Sequence, residues 1–230
     1  MVYLFIFFIE LFSLFFCSQA LIKSISYIAY RISHSQTVTI HLLAGLFLPG
    51  TIIHELAHAL VAGALLVPVG KIEFLPEIQG DRVKLGSAQI AHSDPFRRAL
   101  IGFAPVIVGT LLLLGSLFYF VSMFSKGTLP FWSIFVLLYI IFEITNTMFS
   151  SRKDLEGSLE VIVIVAGIFI ALYFLGIRQP FTWFASLFQG EFLEFVKKVV
   201  LFMLIPIVID ILIYALFKIF LERRSLFSRY

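Results

Sequence analysis

Charge is what this chain has least of. Only 13% of its 230 residues are Asp, Glu, Lys or Arg, against 60% hydrophobic, and the mean hydropathy is +1.04. A soluble domain of this size needs no such apolar surface, so the scarcity of charge excludes one. Alternating segments of about ten residues are also missing, which excludes a membrane β-barrel; the apolar runs are continuous and longer than ~18 residues. The formal charge of +3 sits in connecting segments and speaks to membrane orientation rather than to nucleic acid. The single cysteine, Cys17, lies in an apolar run, excludes an intrachain disulfide and reads as a packing residue. The first apolar run lacks the positive leading segment of a secretory signal and is long for its hydrophobic part. It reads as a retained span.

What is there predicts an all-α polytopic membrane protein with about six transmembrane helices. The runs cover residues 2–22, 37–67, 95–123, 129–149, 159–177 and 192–220. Glu10 in the first reads as facing a neighbouring helix. The second run is too long for one simple crossing of a ~30 Å hydrocarbon core. Pro49-Gly50 predicts a break within it, with Thr51 capping a fresh helix. In the third, Gly102, Pro105, Gly109 and Gly115 allow close helix approach. After Val67-Pro68 polar and apolar residues alternate through Lys71–Leu75 and Arg82–Leu85, with Gln79-Gly80-Asp81 as turn chemistry between them. That pattern predicts a small β-hairpin over 70–91, between the second and third spans, whose exposed edge suits an extended polypeptide. Residues 1–230 thus form one membrane domain: a first span and connector (1–36), a core (37–157), and flanking spans with a basic tail (158–230).

The core carries His54-Glu55-Leu56-Ala57-His58 inside the apolar run. Two histidines one helical turn apart share a face and can reach one zinc ion, with the glutamate between them as general base. Ionisable residues at membrane depth mark function by default. A catalytic zinc takes about three protein ligands and keeps one position open, and Asp154, Glu156 and Glu143 are the candidates for the third. His41 lies more than two turns upstream and is set aside. Grouping the 68–98 loop, the 150–157 loop and the C-terminus collects eleven of seventeen lysines and arginines. The positive-inside rule then puts the N-terminus, hairpin and C-terminus in the cytoplasm of a cell-membrane protein, with the site toward that side.

These residues together resemble the site-2 protease family of intramembrane zinc metalloproteases. The resemblance lies in His54–His58 within a span, the following hairpin, and Asn146 with Asp154 eight residues later. The family's Gly-Pro segment is echoed in part by Ala104-Pro105, and the likeness covers residues 45–157. Where the family has Gly directly after the Asp, Gly157 stands three residues on, and Phe149 occupies a proline position. Glu156 is therefore the alternative ligand. The resemblance implies Zn2+ held by His54, His58 and Asp154, Glu55 as general base, and Asn146 as a donor to the tetrahedral intermediate or substrate backbone. It implies transmembrane proteins as substrates. The alternatives are an inactive protease-like subunit or assembly factor of a membrane complex, or a transporter using Glu10, His54, Glu55, His58 and Asp210. No repeated half supports the transporter.

Overall fold

Inside a bilayer only internal hydrogen bonds satisfy the backbone, so apolar runs fold as helices. The computed structural model describes residues 2–75, 77–79, 82–84, 86–149 and 152–227; side chains at 76–85, 150–159, 162, 187 and 219–230 lie outside that description. The helices are α1 (Val2–Ser33), α2 (Gln36–Leu46), α3 (Leu48–Ala64), α4 (Pro95–Ser125), α5 (Phe131–Thr147), α6 (Arg152–Phe174), α7 (Gln179–Leu187) and α8 (Gly190–Phe227). Among the described residues, three helices (α1, α4 and α8) are long and apolar enough to cross a membrane. Counting the bent pairs α2–α3 and α6–α7 as one span each gives up to five, against the six anticipated. The difference lies in α5, which has only 17 residues; α7, bent from α6 by 116°, falls where no span was expected. The protein is a membrane-embedded helical one. Exposed side chains such as Phe5, Phe118, Trp132 and Leu212 suit contact with lipid.

The core lies where α1, α4, α5 and α8 meet, around Leu14, Leu113, Ile144, Met148 and Met203. The buried positions of α1 are Glu10, Leu14, Ser18 and Leu21, a single helical stripe. Glu10 thus faces the packed interior, and neither carboxylate oxygen has a hydrogen-bond partner. α1 and α8 run side by side in the same direction. Lys197 lies over the Tyr3 ring, 5.5 Å from its centroid, near both starts; farther along, Ser18 and Asp210 both bond Asn146 of α5. The start of α1 and the end of α8 therefore face opposite sides. α3 runs opposite to α1: Leu46 and Gly50 meet Tyr139 and Glu143 in the same order as α5, whereas Phe15 and Ser18 meet Phe149 and Asn146 in the reverse order, so the segment after α3 lies where α1 starts. This separates the C-terminal end from the N-terminus and hairpin, which the charge count had grouped together. It also moves Lys197 and Lys198 to the hairpin side, where Lys197 lies over Tyr3.

α2 and α3 bend by 68° at Phe47. Pro49 does mark the break, but the new helix starts before it: proline sits in the first turn of α3, where a missing N–H leaves nothing unpaired. Thr51 is not the cap; its hydroxyl donates to the Phe47 carbonyl at 2.8 Å. α3 closes with Leu66 at φ +58°, while the N–H groups of Leu66 and Val67 return to the carbonyls of Gly63 and Ala62. The next segment forms two antiparallel ladders in succession. β1 (Val69–Glu73) pairs with β4 (Ser87–Ile90), and between them β2 (Glu77–Gln79) pairs with β3 (Arg82–Lys84). The expected hairpin is present, as two short ladders and not one. α4 then starts as anticipated, with the Asp94 carboxylate accepting the Arg97 N–H at 3.0 Å. That bond holds the carboxyl below its ordinary range.

Candidate functional site

His54, Glu55 and His58 lie on α3 and all three are buried. The two Nε2 atoms are 3.1 Å apart, with the rings crossed at 83°. That contact is a hydrogen bond between the rings; two nitrogens each ~2.0–2.1 Å from a tetrahedral zinc stand ~3.3–3.4 Å apart, so an ion replacing the shared proton would need only a small spreading of the pair. Nδ1 of His58 meets the Ile101 carbonyl oxygen of α4 at 2.8 Å. A carbonyl only accepts, so Nδ1 carries the proton and Nε2 keeps its lone pair. Imidazole nitrogens of this kind fit zinc among the common divalent ions.

The hairpin reaches this site at Gly86, one residue before β4. A Cβ there would come within 2.7 Å of Thr51 Cγ2 and 3.1 Å of Glu55 Oε1. Having no side chain, Gly86 lets the strand lie directly on the glutamate. On another face α5 packs against Gly50, one turn before His54. A Cβ at Gly50 would run into the Thr147 side chain and come within 2.9 Å of the Glu143 carbonyl oxygen. The Glu143 carboxylate accepts the Gly50 N–H at 3.0 Å, one of the donors left over where α3 begins. Its Oε1 has no partner. Glu143 therefore caps α3 from the neighbouring helix.

No protein-family model, curated protein or solved structure matches this chain. The assignment of ligands rests on the side chains alone. Among the described residues no three His, Cys, Asp or Glu are grouped to hold one metal ion, and the Glu143 carboxylate is engaged by the Gly50 N–H. Asp154 and Glu156 stand at the start of α6, which begins at Arg152 where a loop was anticipated; their side chains lie outside the described residues.

Asn146 is buried on α5 and belongs to a contact the sequence reading missed. Its Nδ2 donates to the Phe142 carbonyl at 2.9 Å and to Asp210 Oδ1 at 3.1 Å. Ser18 Oγ donates to its backbone carbonyl at 3.2 Å. Both amide N–H bonds are engaged, so this arrangement leaves none for a substrate. Asp210 is fully buried on α8, and its Oδ2 and the Asn146 Oδ1 lack partners. A lone Asp in an apolar run was the available signal.

Proposed function

We propose that the chain is an intramembrane zinc metalloprotease of the site-2 kind, hydrolysing peptide bonds within or near transmembrane segments of other membrane proteins. One observation carries this reading: two buried Nε2 atoms 3.1 Å apart on a membrane helix, one of them with its lone pair fixed by a bond on the far side of its ring. His54, His58 and Asp154 would hold the ion, with Glu156 as the alternative. Zinc bound there supplies a Lewis acid for the peptide carbonyl and makes water more acidic. Glu55 takes the proton of the attacking water and returns it to the departing amine. A helical substrate hides its peptide bonds, and the free edges of β1 and β4 suit an extended stretch beside Glu55. The site belongs to the hairpin side of a multi-pass protein.

A second reading is supported by Asn146, whose two N–H bonds are already engaged. To serve a substrate it must give up Asp210. A relative that keeps the metal but does not hydrolyse, as a subunit or assembly factor of a membrane complex, fits that arrangement.

Full-length protein in detergent is expected to carry about one zinc per chain, lost in His54→Ala. It is expected to cut a fluorogenic peptide bearing a transmembrane sequence, and Glu55→Gln to slow this by at least ~100-fold. Cleavage untouched in Glu55→Gln would sink the protease reading. Zinc without cleavage in the wild type selects the second.

A further inference from the structure

We propose that Pro105 is a positioning residue of the metal site: by taking away the helix's own donor to the Ile101 carbonyl, it hands that carbonyl to His58. The inference rests on the metal reading above. In a regular helix the carbonyl of residue 101 accepts the N–H of residue 105. Residue 105 is a proline inside α4 and has no N–H. Its ring also crowds the carbonyl four residues back and pushes it off the helix axis. At membrane depth such a freed carbonyl must find a donor elsewhere. His58 Nδ1 supplies one at 2.8 Å, with His58 and Ile101 each only 5% exposed.

The bond fixes two properties of His58. Its proton stays on Nδ1, and its ring plane is set so that Nε2 points toward Nε2 of His54. Close approach to α5 is not what the proline serves. The near approach of α4 to α5 comes one turn later at Gly109, where a Cβ would lie 2.9 Å from Met148 Cβ. The proline costs α4 a hydrogen bond, and what it returns is an acceptor placed for a histidine.

The variant P105A restores the N–H, which then competes with His58 for the carbonyl. By chelator competition on the full-length protein in detergent, P105A is expected to bind zinc about tenfold more weakly than wild type. Alanine is the better helix former, so its thermal unfolding is expected at the same or a higher temperature. P105G restores the same N–H with a poor helix former. It is expected to lose zinc affinity by a similar factor while unfolding below P105A, and if it does not fold, P105A decides alone. Zinc held as tightly as in wild type by a folded variant overturns the proposal and leaves the metal reading intact. A wild-type chain without zinc overturns the metal reading, and this inference with it.

Discussion

An alanine at position 86 would press its methyl to 2.7 Å from Thr51 Cγ2 and 3.1 Å from Glu55 Oε1. Either the hairpin lifts or the glutamate moves. Displacing a catalytic group by about 1 Å costs up to ~100-fold in rate, so Gly86→Ala is expected to lose activity on that scale while keeping its zinc. Parallel cleavage and metal assays check this, and unchanged cleavage would show that the strand is not seated on the base. The sequence displayed His54, Glu55 and His58 because their spacing alone brings them onto one helix face. Gly50 and Gly86 were not legible in the same way. A glycine's purpose is written in the residue it touches, here Thr147 and Glu55, both reached only through the fold.

Beside the apolar core, a buried polar contact joins α8 to α5. Asp210 is the joint between α8 and α5, and Ser18 brings in α1. Asp210→Asn keeps an acceptor for Asn146 and adds a donor for its partnerless Oδ1, so stability close to wild type is expected. Asp210→Leu strands a buried N–H and is expected to cost ~1–3 kcal/mol. Denaturation in detergent distinguishes them; a leucine variant as stable as the asparagine one would rule out the joint. At this scale the sequence is half readable. Pro49 and Pro68 announced helix boundaries because backbone chemistry is local. The partners of Glu143 and Asp210 lie far along the chain, at Gly50 and Asn146, and no local rule predicts them.

For the whole molecule, hydropathy revealed a helical membrane protein but not how its spans are counted, because α5 has only 17 residues and α6 and α7 meet at 116°. The parallel course of α1 and α8 makes a direct prediction. In a chain with Cys17 replaced, single cysteines at Tyr3 and Lys218 are expected to react with an impermeant thiol reagent from opposite sides of sealed vesicles. Labelling from the same side would contradict the arrangement. The same parallel course bears on how the protein comes to lie in its membrane. Insertion machinery that sorts helices by flanking charge receives opposed instructions from a chain with Lys71, Arg97 and Arg98 on one side and Lys218 on the other. Within α1, Lys23 and Arg31 favour retention of its far end in the cytoplasm. Retained that way, the histidines would open to the opposite compartment. The range of available substrates would then be settled during biogenesis, before any side chain had touched one.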